Sequence, residues 1–439
     1  MLKEQLKEAI IKLEAHAQQK PIRVISHHDT DGITSAAIFA RALQRWNKRF
    51  SLQIVKNLEK PFIDKLSDKE TLVFLDLASG SLDYLREKKT SVFIFDHHEI
   101  AQEIPKNVTM INPLLYNEEP CSGAAIAYRF ARELSSNNTD LATLSIIGMI
   151  GDMFESNLTK GYSELLKEAN VTMKKGLLLY PATRPVDKVL EYSTSLFIPG
   201  VTGSFKGVME LLRDANIPRG QTGFKSLAEL SEEEMQRLVT SIMIRCTKGE
   251  LTKEIVGNLY LIKFFNKQED ARELSAMINA CSRMGRSETA LNFCLGNKEG
   301  QKEAEKIYIE YKQSISSALR FINETQKITG KNYTIVNAQD KIRDTIIGTA
   351  ASIMSFSPLY PEGTIIIAMA YDQDKIKISA RLAGRKGRNV REILAKALIP
   401  LSGEVGGHPN AAGGLITREQ EGQFLEEIQR VLEVDIIKV

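Results

Sequence analysis

An α/β fold built on a doubly wound parallel sheet is what this sequence predicts, followed by a helical middle region, a linking helix and a smaller α/β unit. Three observations carry that expectation. Strand-type and helix-type segments alternate between residues 22 and 96. Several of the short apolar runs there end in a histidine or an aspartate, the position at which open α/β sheets present functional groups. The alternation then lapses from about 155 to 300, and returns beyond a long amphipathic stretch that ends near Lys331.

The elements follow in order. Leu2, Leu6, Ile10 and Leu13 recur at helical spacing and predict a surface helix over residues 2–18. A strand at 22–26 leads into Ser26-His27-His28-Asp29-Thr30-Asp31-Gly32. Helix-type sequence covers 34–48, with strands near 52–55 and at 71–76, a short helix at 81–88 and a strand at 92–96 that ends in Asp96-His97-His98. Helical sequence from Ser122 to Leu134 precedes Ile146-Ile147-Gly148-Met149-Ile150-Gly151-Asp152. The middle region is mostly helical: Ser231 and Glu234 have capping-box spacing ahead of a helix running to about Cys246, and 254–265 reads as a lone strand. Ile307, Tyr311, Ile315, Leu319 and Ile322 mark one side of a long helix over roughly 302–326. Beyond it come strands at 333–336, 364–370 and 375–381, with helices from Thr345 and from Val390. These boundaries place a first domain at 1–300, with its core at about 20–180 and a mostly helical extension over 181–300. A connector helix follows at 301–328, and a second domain at 329–439.

Composition narrows the class. A chain of 439 residues is too long for one simple core, and typical domain sizes predict roughly two to four units. With 43% hydrophobic and 26% charged residues it has the balance of an ordinary globular protein. A formal net charge of +3 provides no general positive field, so a polyanion would have to be held by a local basic patch. Cys121, Cys246, Cys281 and Cys294 form no C-x-x-C pair, which reads as reduced thiols and a cytoplasmic location rather than a disulfide framework. The charged, amphipathic N-terminus lacks an apolar signal region, and no apolar run reaches membrane length.

Five of the six histidines fall in three clusters: His27 and His28, His97 and His98, and His408. Imidazole is therefore concentrated where carboxylates and glycines also gather. His27-x-Asp29-x-Asp31 is a compact donor set that can turn an imidazole and two carboxylates toward one point just beyond a strand. With Asp76, His97 and Asp152 it forms a six-group oxygen and nitrogen shell without thiolates, suited to Mn²⁺ or Mg²⁺. Four carboxylates exceed the need of one divalent ion. Two ions roughly 3.5 to 4 Å apart, one carboxylate bridging them, would activate a water and clamp a phosphoryl oxygen. In that scheme His98 contacts a non-bridging oxygen or donates a proton, Asp96 orients a neighbouring imidazole, and His28 takes a supporting role. An isolated Asp-His-His is more often a capped turn than a metal site; the convergence of four such segments is what favours metal.

The third cluster differs in kind. Gly406-Gly407-His408-Pro409-Asn410-Ala411-Ala412-Gly413-Gly414 is read as a glycine-rich loop in which Gly406, Gly407, His408 and Asn410 approach an anion. Upstream, Lys375, Lys377, Arg381, Arg385, Lys386, Arg388 and Arg391 place seven basic residues in seventeen positions with no acidic one. Either feature alone is commonly a turn or a solvated face; together they predict a track for a nucleic-acid backbone. Arg283 and Arg286 would add to it, or would serve only the C-terminus of a helix.

The order S-H-x-D-x-D-G at 26–32, the strand-end Asp76, D-H-H at 96–98, G-x-x-G-D at 148–152 and G-G-H-x-x-A-A-G at 406–413 resembles the DHH/DHHA1 phosphoesterase superfamily, and in detail its RecJ-like nucleases of archaeal type. The resemblance covers nearly the whole chain and is weakest in the middle third. It implies a catalytic DHH domain, a linking helix and a smaller substrate-binding DHHA1 domain, with the active cleft between them. It also implies that His27, Asp29, Asp31, Asp76, His97 and Asp152 bind two Mn²⁺ ions, that His98 serves the scissile phosphate, and that Arg381 and His408 hold substrate phosphates. The function implied is a metal-dependent exonuclease releasing mononucleotides from an end of single-stranded DNA or RNA, in replication or repair. The G-G-H motif separates the chain from the superfamily's pyrophosphatases, and with no residues beyond Val439 for an OB-fold, the compact archaeal form is expected. Two alternatives stand beside it. One is a non-catalytic or weakly catalytic replisome component associated with GINS or a helicase; the other is a nanoRNA or cyclic-dinucleotide phosphodiesterase. Retention of all six ligand positions and of His98 favours an active nuclease, which can also have a replication or repair protein as partner; no membrane is implied.

Overall fold

A computed structural model of the chain describes residues 2–156, 158–193, 196, 198–245, 255–357, 359–384 and 386–434. Cys246, Glu254 and Arg385 lie outside the described residues. Two compact units divide the chain. The first comprises Met1–Val189, Arg219–Met235 and Val256–Tyr308, and the second Leu190–Pro218, Gln236–Ile255 and Ile309–Val439. The boundary at residues 308–309 falls inside the long helix Lys298–Glu324.

The first unit begins with α1 (Leu2–Ala17), whose buried residues are Leu2, Leu6, Ala9 and Leu13. Ala9 takes the place on the inner stripe that spacing gave to Ile10, which is half-buried. There follow β1 (Ile22–His27), α2 (Thr30–Arg45), β2 (Phe50–Val55), α3 (Lys60–Asp64), β3 (Thr71–Leu75), α4 (Leu82–Leu85), β4 (Val92–Phe95), β5 (Val108–Ile111), α5 (Gly123–Leu134) and α6 (Ala142–Gly151). The five strands are all parallel, in the order β2-β1-β3-β4-β5. Alternate residues separate the two faces. Leu72, Phe74, Val92 and Ile94 pack with Ile63, Leu82 and Leu85 from α3 and α4. On the other face Phe95 lies 5.3 Å from Phe39 of α2, which stacks at 4.7 Å on Phe130 of α5. Both faces of the parallel sheet are therefore covered, as its apolar strands require. Strand β5 is additional to the strands expected from the sequence, because Val-Thr-Met-Ile is a run too short and mixed to stand out.

The direction in which successive strands are added reverses at β1, so the switch point of this strand order lies between the carboxyl ends of β1 and β3. His27 ends β1, Asp76 follows β3 and Asp96 follows β4.

The expected lone strand of the middle region is not alone. Val256–Phe264 is the centre of a three-stranded antiparallel sheet, flanked by Thr172–Leu177 and Lys267–Asp270. Its partners are short and partly charged, which hides them from pattern reading.

In the second unit six strands run in the order Ile328–Gly330, Tyr333–Asn337, Ile365–Asp372, Lys375–Leu382, Ala411–Thr417 and Glu404–His408. Only the Tyr333–Asn337 and Ile365–Asp372 pair is parallel. Ile376, Ile378, Ala380 and Leu382 point into a core closed by the helices Val390–Leu398 and Glu421–Val434. The helix Asp344–Ser355 covers the opposite face, where Arg381 reaches it. No helix among the described residues is long and apolar enough to cross a membrane.

Candidate metal centre

All six expected metal-site residues, with Asp96 and His98, lie in the first unit at the carboxyl edge of its parallel sheet. Helix α2 begins earlier than its apolar pattern suggests. His27 closes β1, Asp29 is the N-cap of α2 with Oδ1 accepting from the Gly32 N–H at 2.9 Å, and Asp31 stands in the first turn. The capping aspartate starts the helix inside the cluster, so these three donors project from a strand end, a cap and a helix turn.

Asp31 is fully buried, and its carboxylate accepts from the backbone N–H groups of Gly123 and Ala124, the latter at 2.9 Å. Those amides open α5, so the helix N-terminus holds the charge. Ser122 caps the same helix. Asp76 follows β3 with φ of 58°, a left-handed conformation that ordinary residues avoid and that clusters at functional sites. Asp152 lies at the C-cap of α6, and so comes from a helix terminus rather than a strand end. The glycines around it are needed for close approach: a Cβ on Gly148 would lie 2.5 Å from Ala124 Cβ and 2.6 Å from Asp31 Oδ1.

These groups converge as two donor sets that share one residue. Donor atoms of Asp31, Asp76, His97 and Asp152 lie within 4.8 Å of one another, and so do those of His27, Asp29 and Asp76. Each set meets a different oxygen of Asp76. His97 Nε2 is 3.2 Å from Asp76 Oδ1 and 2.9 Å from Asp152 Oδ2. His27 Nδ1 is 3.5 Å from Asp76 Oδ2 and 3.0 Å from Asp29 Oδ2. Yet His27 Nδ1, His97 Nε2 and both Asp76 oxygens are buried and make no hydrogen bond of acceptable geometry. Buried polar atoms are rarely left so, and here they face a common space between carboxylates.

The electrostatics agree. Burial pulls the His97 imidazolium down, but Asp152, Asp76 and Asp31 outweigh it and push its pKa up to about 12. His27 is opposed by burial in the same way, and Asp29 and Asp76 push it up to about 10. Burial, with the neighbouring carboxylates, raises Asp31 and Asp76 above the ordinary range. The cluster thus holds more negative charge than its buried surroundings favour, and a divalent cation fits the donors present.

Asp96 belongs to a third cluster with Asp76, His97 and His98, but its own oxygens are already occupied. They accept from the Ser79 N–H at 3.0 Å and hydroxyl at 2.6 Å, from the His97 N–H at 2.8 Å, and pair with His98 Nδ1 at 2.7 Å. Burial would raise its pKa, but His98 and Ser79 hold it below the usual carboxylate range. Asp96 therefore orients His98, whose ring remains half exposed. The carbonyl of His98 accepts from Asn112 Nδ2 at 2.9 Å. Ser79, Asn112 and the α5 amides escaped sequence reading; only for the amides was there a signal, the N-cap Ser122 ahead of an apolar helix. His28 belongs to none of the donor sets. Its ring lies 4.7 Å from that of His27, and burial and that neighbour bring its pKa down to about 4.

In the second unit the expected glycine-rich loop is a β-hairpin. Strands Glu404–His408 and Ala411–Thr417 pair through the turn at Pro409 and Asn410, whose carbonyls accept from Val390 and Leu382. Glycine runs suggest a loop, but here Gly407, with φ of 118°, leaves room for Ala411 and Ala412 of the paired strand. Register sets Arg381 opposite Ala411 and Ala411 opposite His408, so all three share one cross-strand row. Two residues along, on the same face, Ser379, Gly413 and Gly406 form the following row, the two glycines leaving a shallow trough. His408 and Asn410 are exposed. Arg381 is held by its own unit: Nε donates to Ser352 Oγ at 2.8 Å, and the terminal nitrogens donate to the carbonyls of Ala380, Ala412 and Gly348.

The basic stripe is split by the fold. Lys375, Lys377 and Arg381 share the face covered by the Asp344–Ser355 helix, whereas Arg388 donates to the Leu432 carbonyl of the last helix at 3.0 Å. Arg286 pairs with Glu303 at 3.3 Å, and Arg283 ends the helix Ala271–Arg283, the position that favours a cation in either reading.

A doubly wound sheet with shared-aspartate donor sets at its carboxyl edge, joined in one chain to a second, mixed-sheet unit, defines a DHH-type phosphoesterase architecture. Residues 21–149 match the DHH family N-terminal domain, 179–260 the DHH-CID domain and 330–434 the DHHA1 domain. The chain belongs to the DHH/DHHA1 phosphoesterase superfamily, with a RecJ-like fold. An uncharacterized protein of Methanocaldococcus jannaschii is 28% identical over 430 residues, covering 94% of this chain and 93% of that protein. Thermus thermophilus RecJ in complex with Mn²⁺ superimposes with a TM-score of 0.62 at 19% identity, over 98% of this chain and 54% of RecJ. This chain therefore spans about half of that RecJ. CDC45 from Entamoeba histolytica superimposes with a TM-score of 0.67 at 12% identity, over 98% of this chain and 99% of CDC45.

Proposed function

We propose that this protein is a divalent-metal-dependent exonuclease that hydrolyses single-stranded DNA, and RNA as a second substrate, from an end to mononucleotides in replication or repair. The observation that carries this reading is the pair of donor sets sharing Asp76, whose two buried carboxylate oxygens have no hydrogen-bond partner. His27, Asp29 and Asp76 would hold one ion, and Asp31, Asp76, His97 and Asp152 the other, with Mn²⁺ favoured and Mg²⁺ able to substitute. Ions so held lower the pKa of water and neutralise charge on a phosphoryl group.

The chain's own residues supply the rest. The α5 amides fix the Asp31 carboxylate, and the Asp29 cap fixes the start of α2, so both donors are in place before substrate arrives. Asp96 holds His98 by Nδ1, which leaves Nε2 to donate to a phosphoryl oxygen or to the leaving group. In the second unit His408 and Arg381 share a row suited to substrate phosphates, with Gly406, Gly407 and Asn410 beside it, while the trough at Gly406 and Gly413 admits a backbone closely. An oligonucleotide labelled at either end, as DNA and as RNA, is incubated with Mn²⁺ beside the Asp76→Ala variant. Labelled mononucleotide released at once from one end, and none with the variant, is the expected result. Intact substrate under every divalent metal would reject the nuclease and favour a replisome component associated with GINS or a helicase. Cleavage confined to dinucleotides would reject a polymer substrate.

A further inference from the structure

Phe356, at the end of the helix Asp344–Ser355, has 79% of its surface exposed, and Leu359 has 75%. Single exposed apolar residues are ordinary, whereas two large ones at one helix end call for an occupant. Their place in the unit says which. Arg381 reaches this helix at Ser352 and Gly348, and Phe356 follows Ser352 by four residues, just over one helical turn or about 6 Å further along the same face.

The helix connects two parallel strands and so runs back toward the end of the sheet where Ile365 pairs with Leu382. That end also carries Arg381, the row across to His408 and the hairpin turn whose Asn410 carbonyl accepts from the Leu382 N–H at 3.0 Å. Lys375 and Lys377 lie on the same sheet face but toward its other end, where Lys375 pairs with Asp372 and Thr417. A flat apolar ring thus stands one turn beyond a guanidinium. This pairing suits a single-stranded nucleic acid, whose phosphates need cations and whose unpaired bases need a face to stack on.

We infer that Phe356, supported by Leu359, is a stacking platform for a base of a single strand whose phosphates follow the Arg381–His408 row. The inference rests on the nuclease reading above and adds to it a contact to the bases. Stacking is tolerant of sequence, so the platform favours single strands over duplex without selecting a base.

The test uses the full chain with EDTA present to prevent hydrolysis. Binding is measured by fluorescence anisotropy with a labelled oligothymidylate and with an abasic oligomer of the same length. Phe356→Ala is expected to weaken oligothymidylate binding roughly 5- to 100-fold while leaving the abasic oligomer unaffected, and Phe356→Trp is expected to bind as the parent does. Trp46 is the only tryptophan in the chain, so in a Trp46→Phe background Phe356→Trp gives a direct signal, quenched by oligothymidylate and not by the abasic strand. Equal binding by the parent and Phe356→Ala would overturn the platform while leaving the nuclease reading intact. Equal loss on both oligomers would assign Phe356 a purely structural role. A parent protein that binds neither oligomer would overturn the nuclease reading and the platform together. Dissociation of an oligomer by Phe356→Ala, with strand binding unchanged, would assign the patch to a second copy of the chain.

Discussion

If Asp76 serves two ions, exchanging it should cost twice what exchanging either unshared carboxylate costs. Asp76→Asn, Asp29→Asn and Asp152→Asn each replace a carboxylate by a carboxamide of the same shape. Asparagine also tolerates the left-handed backbone at position 76 better than other side chains, so the fold should survive. At position 29 it remains a good N-cap for α2. What distinguishes the variants is membership: Asp29 shares a set only with His27 and Asp76, Asp152 only with Asp31, Asp76 and His97, and Asp76 belongs to both.

Each ion present at a hundred times its Kd stabilises the folded chain by about 2.7 kcal/mol. Domains of roughly 150–250 residues gain about 2–4 °C in Tm per kcal/mol. One ion should therefore raise Tm by about 5–10 °C, and two by about twice that. Equilibrium dialysis with metal analysis counts the ions, and differential scanning calorimetry with and without Mn²⁺ measures the shift. Two ions are expected for the parent, one each for Asp29→Asn and Asp152→Asn, and none for Asp76→Asn. One ion and half the shift retained in Asp76→Asn would refute the shared carboxylate. Loss of both ions in Asp29→Asn would show that the two sets form a single site.

Three further outcomes follow from the same geometry. His27 and His97, with pKa values pushed to about 10 and about 12, carry protons at neutral pH in the metal-free protein, and a metal requires the neutral rings. Mn²⁺ binding should then release protons, and apparent affinity should rise with pH; calorimetry in buffers of different ionisation enthalpy would contradict this by showing no release. Gly148→Ala places a Cβ against Ala124 and Asp31 and should cost about 1–3 kcal/mol in urea unfolding together with metal affinity, whereas Gly80→Ala, whose Cβ meets nothing within 4 Å, should cost less than about 0.5 kcal/mol. Arg381→Ala abandons acceptors on Gly348, Ser352, Ala380 and Ala412 and should destabilise the second unit by about 1–3 kcal/mol as well as weaken single-strand binding. His408→Ala, at an exposed position, should weaken binding alone, and equal destabilisation by the two would contradict the distinction.

The parallel sheet was legible because its inner strands β1, β3 and β4 are largely buried on both faces and read as plain apolar runs, each stopped by a residue of a different character. The same logic missed β5 and the partners of Val256–Phe264, where short or charged strands carry little pattern. It also misread the hairpin at 404–417, because glycine that packs one strand against another looks, in sequence, like glycine that turns a loop. Asp76 and Asp96 show where reading stops for the site itself. Both are acids just past a buried strand; in sequence Asp76 reads as part of the metal shell and Asp96 as an orienting group, but the physical ground for that division lies in the fold. The difference is made by partners outside the strand: Ser79 and His98 saturate Asp96, whereas the left-handed turn at Asp76 leaves its oxygens facing the His27 and His97 rings without a hydrogen bond of acceptable geometry. A motif can propose which acids are donors and which are supports in a site of this kind, and the physical reason for the division is which oxygens the fold has already occupied.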